Sequence, residues 1–244
     1  MFNARDIFLS VIIPAFNEEK RVRDNTRAVE QKCDAMRLNY EIILVNDGSV
    51  DGTLPAMQEC AGSRIKVLSY EKNRGKGFAV RHGMLHAAGR YRLFMDADLS
   101  TSLEAMDKFL EHMRQDDYDM IIGDRKSRPG DHTVKQPWHR RFLGNGFIVL
   151  SRWCVEKKIR DFTCGFKMFN RRAADIIFKK QQILNWAFDT ELIAIALIHD
   201  LRIGEIPVTW NHHHGSAVRP MRNIFTSLAG LLKIKWNILQ GVYR

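Results

Sequence analysis

No stretch of this sequence offers the ~20 uninterrupted apolar residues that a membrane-crossing helix requires, so a spanning helix is not expected. The apolar run Leu9–Phe16 is too short and is interrupted by Pro14, and no strongly basic region precedes it, which argues against a secretory leader. Cysteine is scarce and scattered. Cys33, Cys60, Cys154 and Cys164 form no C-x-x-C pair, so they read as free thiols of a reducing compartment rather than a disulfide framework or a zinc site. Repeats and low-complexity tracts are absent. Two nucleotide motifs are missing as well. "NRGKG" lacks the G-x-x-x-x-G-K-[ST] pattern, and Gly75-x-Gly77 is followed by Val80 where a dinucleotide fingerprint needs its third glycine, which weakens ATPase and dehydrogenase readings. Positive charge, in contrast, is abundant. Lys and Arg number 38 against 28 Asp and Glu, for a formal net charge of +10. That balance points to anionic partners: nucleic acid, nucleotides, phosphates or an acidic lipid surface.

The first half alternates strand-like and helix-like segments. "IFLSVIIPAF", "YEIILVN", "RIKVLSY", "YRLFM" and "YDMIIG" read as strands, and Glu18–Met36, Asp51–Cys60, Gly77–Ala88 and Ser102–Arg114 as helices. The alternation predicts an α/β fold with a mostly parallel, Rossmann-like sheet flanked by helices. Ligands of such sheets sit beyond the carboxyl ends of the strands. The polar clusters "PAFNEE", "NDGSVDGT", "NRGKG", "DADLS" and "GDRKSR" all fall there. The second half brings "DFTCGFKMFN", a helical "WAFDTELIAIALIHD" and a strand-like "RIGEIPVTW". The tail from Pro220 to Arg244 sets Met221, Ile224, Phe225, Leu228, Leu232, Leu239 and Val242 largely on one helical face among basic residues. It reads as a basic amphipathic helix, broken near Gly230 or Gly241, that either packs on the domain or lies on a membrane surface.

Asp96 and Asp98 frame the question of function. On a strand, side chains two apart leave on the same side, and like charges held that close repel unless a cation sits between them. An isolated D-x-D is also an ordinary turn. Asp47 ends an apolar strand at the ligand edge, where a carboxylate can accept from a nucleobase N–H or a ribose hydroxyl, although the "NDGSVDGT" stretch also suits a turn and helix cap. The run His212–His214 lacks metal-ligand spacing and reads as a solvated loop. Trp186 and Phe188 read as core.

Taken in order, "VIIPAFNEEKRV", "ILVNDGSVDGT", "NRGKGFAVRHGM", "FMDADLST", "GDR", "IRDFTCGFKMF", "WAFDTEL" and "VTWNHHHGSAVRP" resemble the family 2 glycosyltransferases of GT-A fold. The later motifs are similar to the branch that transfers sugars to dolichyl and polyprenyl phosphates. The resemblance implies a catalytic domain over 1–215, with a nucleotide-binding half at 1–123 and an acceptor half at 124–215, and a helical segment over 216–244. It implies that Pro14, Ala15, Glu18, Asp47, Lys76, Asp96 and Ala97 line the nucleotide-sugar pocket, and that Asp96 and Asp98 hold Mg²⁺ or Mn²⁺. Arg125, Arg128, Arg140 and Ser216 would meet the acceptor phosphate, and Asp189 would act as a base or position the substrate. Asp124 stands where the branch has the serine of a Gly-Ser-Arg motif. Ser100 stands where mannosyl-type members often carry glutamine, which points toward glucose.

The implied reaction is inverting transfer of a hexose, glucose from UDP-glucose foremost, to a polyprenyl or dolichyl phosphate. A phosphate monoester is already largely ionised at pH 7, with a second pKa near ~6, so it needs cations to hold it more than a base to activate it. The expected partners are the nucleotide sugar, the lipid phosphate and the cytoplasmic face of a membrane, contacted peripherally, with no nucleic acid. A second copy of the chain or a membrane-protein partner stays open. So do two alternatives: a sugar hydroxyl of a growing polysaccharide as acceptor, and, distantly, a nucleic-acid binder without enzymatic activity.

Overall fold

The computed structural model describes residues 7–127, 150–152, 154–156, 158–211 and 220–244. Arg128, Arg140, His212–His214 and Ser216 therefore lie outside the described residues, as does most of the basic stretch between Ser127 and Leu150.

Strands β1 (Leu9–Ala15), β2 (Tyr40–Asp47), β3 (Ile65–Tyr70), β4 (Tyr91–Met95), β5 (Met120–Asp124), β6 (Phe166–Asn170) and β7 (Ile203–Pro207) form one seven-stranded sheet. Their spatial order is β3-β2-β1-β4-β6-β5-β7. Neighbours pair in parallel except β6, which runs antiparallel between β4 and β5. Strands β1, β2, β4 and β5 are buried along their whole length. Burial on both faces is why they read as continuous apolar runs rather than alternating ones.

The helices are α1 (Val22–Ala35), α2 (Thr53–Gln58), α3 (Lys76–His86), α4 (Ala105–Gln115), α5 (Arg171–Lys180), α6 (Phe188–Ile198) and α7 (Pro220–Leu239). The expected mostly parallel sheet is present. Strand β6 and helix α5 are additions that the alternation of the first half did not signal. Their junction is chemically plain: Asn170 caps α5 by accepting from the Ala173 amide at 2.8 Å. Helix α6 is buried on all sides from Phe188 to Ala196. Phe188 sits 5.9 Å from Phe94, and Phe169 stacks 6.3 Å from Phe94 and meets Phe178 edge to face at 5.2 Å, which ties β4, β6, α5 and α6 into one core. All four cysteines are free thiols, three of them buried.

Because β6 is antiparallel, its first residue lies at the carboxyl edge of the parallel strands. The segment 161–165 that leads into it bonds to Asp96 after β4 and to Arg125 after β5. Residues from the second half of the chain enter the ligand edge by this route.

The tail shows two apolar faces. Leu231, Ile234 and Tyr243 are buried, while Leu232 is 70%, Trp236 63% and Leu239 70% exposed. Of the face read from the sequence, Leu232, Leu239 and Val242 are exposed and Leu228 is half-buried. A second set packs on the domain. Gly230 does not break the helix. A Cβ there would lie 2.5 Å from the Ala187 Cβ, so glycine permits a close approach. Gly241, at φ +68°, follows the helix end. Among the described residues no helix is long and apolar enough to cross a membrane.

Candidate active site

The loops after β1 and β2 interlock. The Glu18 amide donates to Thr53 Oγ1 at 2.7 Å, the Asn17 amide to Ser49 Oγ at 3.0 Å, and the Gly52 amide to Glu19 Oε2 at 2.7 Å. Pro14 and Ala15 end β1 buried beneath them. The Ala97 carbonyl accepts from Asn25 Nδ2 at 2.6 Å, which anchors the D-x-D loop to α1. Leu99 adopts φ +52°, a left-handed conformation that leucine rarely takes. The turn is held by the Ser100 amide donating to Asp98 Oδ1 at 2.9 Å and by the Asn211 amide donating to the Ser100 carbonyl at 2.8 Å.

Three cation–anion pairs meet at this edge. Lys76, the first residue of α3, places Nζ 2.5 Å from Asp96 Oδ1 and 5.3 Å from the centre of the Trp186 ring. Burial disfavours its charge, but Asp96 and Asp189 outweigh that and raise its pKa. Lys167, fully buried on β6, donates to Asp189 Oδ1 and, at 2.6 Å, to the Cys164 carbonyl. Burial pushes the Asp189 carboxyl up, against the pull of Lys167 and Lys76. Arg125 forms a fork with Asp161, Nε to Oδ2 at 2.7 Å and Nη2 to Oδ1 at 2.8 Å, and Nη2 also donates to Thr163 Oγ1 at 2.9 Å.

The Arg125 geometry corrects its expected role. Its bidentate face is already occupied by a fully buried carboxylate, so it is not a free phosphate clamp. Burial opposes its charge, yet Asp161 holds its pKa above the usual guanidinium range. Asp124, the departure from serine, is buried and closes the next turn: its Oδ1 accepts from the Lys126 amide at 2.8 Å, and its Oδ2 accepts from the Ser127 hydroxyl. Exposed Lys126 and 62% exposed Arg160 stand beside this pair, with Arg160 Nη1 donating to Ser127 Oγ at 2.9 Å.

Asp47 also differs from expectation. Its carboxylate accepts from Tyr70 Oη at 2.8 Å, the Arg74 amide at 2.8 Å, Asn73 Nδ2 at 3.0 Å and the Gly75 amide at 3.1 Å. Four donors fill a carboxylate's acceptor positions. Asp47 therefore shapes the "NRGKG" loop rather than standing free for a base or ribose. Trp186, read as core, is 38% exposed under Lys76, whereas Phe188 is core. Asp161 and Lys167 had no role assigned from the sequence. The available signal was the charge in "RDFTCGFKMF": a lysine flanked by phenylalanines on a buried strand needs a buried anion.

Among the described residues no group of three or more His, Cys, Asp or Glu is arranged to hold a metal. The donor set nevertheless fits a hard divalent ion. Asp98 makes no ion pair among the described residues, and Asp96 and Asp98 supply two carboxylates, the usual protein share of a Mg²⁺ site completed by substrate phosphates and water. The Glu18 carboxyl is raised by burial first and then, against the pull of Arg21, by Asp98, Asp51 and Asp96, so negative charge accumulates there.

The Glycosyl transferase family 2 model matches residues 10–178. A dolichyl-phosphate beta-glucosyltransferase of Drosophila melanogaster is 36% identical over 250 residues, covering 97% of this chain and 77% of that protein. The Homo sapiens protein of that name is 34% identical over 251 residues, with the same two coverages, 97% and 77%. Among solved structures, glucosyl-3-phosphoglycerate synthase of Mycobacterium tuberculosis, crystallised with Mn²⁺ and UDP-glucose, superposes with a TM-score of 0.67 at 16% identity, over 94% of this chain and 79% of that one. These matches and the geometry agree: the chain belongs to glycosyl transferase family 2, with similarity over nearly its whole length to the dolichyl-phosphate beta-glucosyltransferases.

Proposed function

We propose that the protein transfers glucose from UDP-glucose to dolichyl or a related polyprenyl phosphate. The observation that carries this reading is the Asp96/Asp98 pair at the carboxyl edge of β4, with Lys76 against Asp96 and a basic cluster at the end of β5. It stands beside similarity to proteins named for that reaction.

The donor site is formed by the interlocked loops after β1 and β2, the Asp47-shaped loop 73–77, and the D-x-D turn. Pro14, Ala15, Glu18 and Ala97 form its walls, and Lys76 offers a cation to the diphosphate. A Mg²⁺ or Mn²⁺ ion on Asp96 and Asp98 would offset charge on the departing nucleoside diphosphate. The acceptor phosphate lies toward Lys126 and Arg160, with Arg128, Arg140 and Ser216 assigned to it from sequence alone. The Arg125–Asp161 pair fixes the backbone that presents Lys126. Asp189 is bonded to Lys167 and positions the 186–189 turn; an ionised phosphate nucleophile asks little of a base.

The acceptor's isoprenoid chain stays in the bilayer, since each CH₂ withdrawn costs ~0.8 kcal/mol. The exposed stripe Leu232, Trp236 and Leu239, with Lys233 and Lys235 interspersed, suits an anionic membrane surface, cytoplasmic in this reading. The test is a panel of nucleotide sugars offered with a short polyprenyl phosphate, followed by mass spectrometry of the lipid. Glucosylated lipid phosphate from UDP-glucose is expected. Turnover only onto a saccharide hydroxyl would overturn the acceptor assignment.

A further inference from the structure

Glu191 is a fully buried carboxylate that makes no ion pair among the described residues. A buried charge of that kind is costly unless its hydrogen bonds are complete. Here they are supplied by two parts of the chain. Oε1 accepts from the Gln182 amide at 2.9 Å and from Tyr243 Oη at 2.6 Å, and Oε2 accepts from the Ile183 amide at 2.8 Å. Tyr243 is itself fully buried. Its hydroxyl accepts from Asn237 Nδ2 at 3.0 Å, and its carbonyl lies 2.7 Å from His199 Nε2.

Gln182 and Ile183 belong to a strap, residues 181–187, that lies against the donor loop. Gln181 Nε2 donates to the Gly77 carbonyl at 3.0 Å, and the Leu184 carbonyl accepts from the Gly77 amide at 3.0 Å. That carbonyl occupies the space a Cβ would need at Gly75, 2.7 Å away, or at Gly77, 2.8 Å away. Lys76 sits between these two glycines, and Trp186 of the strap lies under its ammonium. On its outer side the loop borders a cleft of about 540 Å³ lined by Asn73, Arg74, Asn185, Thr226 and Lys233. The strap is therefore the loop's close packing partner.

We propose that Glu191 and Tyr243 are positioning residues for the donor site, acting through the strap to hold Lys76 against Asp96. The inference rests on the donor reading above and extends it to the tail. The tyrosine that completes the Glu191 hydrogen bonds follows closely on the end of the helix that carries the exposed apolar stripe.

The experiment uses the full chain with three substitutions. Tyr243→Phe removes one donor to Glu191. Glu191→Gln replaces an acceptor with an amide that cannot satisfy three donors. Gln181→Met cuts the bonds to the Gly77 and Ile183 carbonyls and removes a buried oxygen that has no partner, which offsets part of the stability cost. For Tyr243→Phe and Gln181→Met we expect the KM for UDP-glucose to rise ~3- to 10-fold, the factor for one lost hydrogen bond. The kcat, the KM for polyprenyl phosphate and vesicle binding should stay within twofold, and a lower thermal midpoint with an unchanged donor KM in both variants would overturn the proposal. Should Tyr243→Phe or Glu191→Gln fail to fold, Gln181→Met decides. Wild-type chain that uses no nucleotide sugar would refute the donor reading instead. Hydrogen exchange at the amides of 75–77 then decides the strap's role, with faster exchange in Gln181→Met supporting it and equal exchange refuting it.

Discussion

Replacing Gly165 with alanine should silence the enzyme without unfolding it. The Gly165 carbonyl accepts from the Asp96 amide at 3.1 Å, and a Cβ at position 165 would lie 2.0 Å from Asp96 Oδ2 and 2.4 Å from its Cγ. Ordinary contact begins at 3.4 Å, so the carboxylate must retreat by about 1.4 Å, the difference between 3.4 and 2.0 Å. Gly165 is not among the residues with positive φ, so alanine fits its backbone. The atom it strikes is the free end of a side chain, which can swing away. Alanine also narrows the unfolded ensemble, an effect worth ~0.4–1 kcal/mol in favour of folding. The thermal midpoint should then stay within ~2–4 °C, the shift that ~1 kcal/mol produces in a chain of this size. Displacing a reacting-site group by about 1 Å costs on the order of 10²-fold in rate. The assay is kcat/KM for UDP-glucose at saturating lipid phosphate, with a Mn²⁺ titration and a melting curve on the same preparation. Turnover within threefold of wild type at an unchanged Mn²⁺ midpoint would refute the placement of Asp96 in the donor site.

Asp98→Asn should abolish metal-dependent UDP binding, measured by calorimetry, with no loss of the melting transition; retained metal-dependent binding would contradict it. Asp161→Asn should cost ~2 kcal/mol, less than the full 3–5 for breaking a buried pair because the Arg125 side chain is 24% exposed. Arg125 holds the Asp161 pKa below the usual carboxylate range although burial pulls it upward. That stabilisation is therefore present above the unfolded value of ~3.9 and lost as pH falls through the depressed folded value. Denaturation curves of wild type and variant should stay evenly separated above about pH 5 and converge in acid. Leu232→Asp with Trp236→Asp should reduce flotation with anionic vesicles while UDP binding stays intact; equal flotation would assign the stripe to another contact.

The parallel half of the sheet was legible because each of its strands ends in a polar cluster, and five such clusters fall on one edge of any doubly wound sheet. β6 was not legible. "FKMFN" is short, carries a lysine at its centre, and follows "DFTCG", which reads as a loop. Its antiparallel pairing with β4 is a long-range choice that local pattern does not encode. The site residues divide on the same line. Asp96, Asp98 and Lys76 could be read because they follow strands or open helices at the expected edge. Asp47 and Arg125 lie at the edge where the sequence puts them, but their bonding partners were not legible. Sequence alone does not reveal that Tyr70 and the 73–75 amides fill the acceptor positions of Asp47, or that Asp161 arrives from 36 residues away to take the Arg125 fork. The tail was legible only in part. Its helix has apolar residues on two faces, and of the face that periodicity selected Leu232 and Leu239 are exposed, while Leu231 and Ile234 of the other are buried.

The charges at this edge follow one rule that links fold to chemistry. Four of the carboxylates have a cation brought to them by another segment: Asp161 by Arg125 after β5, Asp189 by Lys167 on β6, Asp96 by Lys76 at the start of α3, Glu18 by Arg21 before α1. The pairs at Asp161 and Asp189 are closed, because the carboxylates and Lys167 are buried and bonded on several sides. They can hold backbone in place but have little capacity to respond to a ligand. The pair at Asp96 is open, with the carboxylate 38% exposed and Lys76 15% exposed. Asp98 has only the Ser100 amide and no cation among the described residues. A ligand that brings both negative phosphates and a positive ion therefore finds one cation, Lys76, whose anion can be shared, and one anion, Asp98, whose charge is unmatched. No other point on the described carboxyl edge offers both, which is why the donor diphosphate belongs between α3 and the D-x-D turn rather than at the better-ordered ion pair of Arg125.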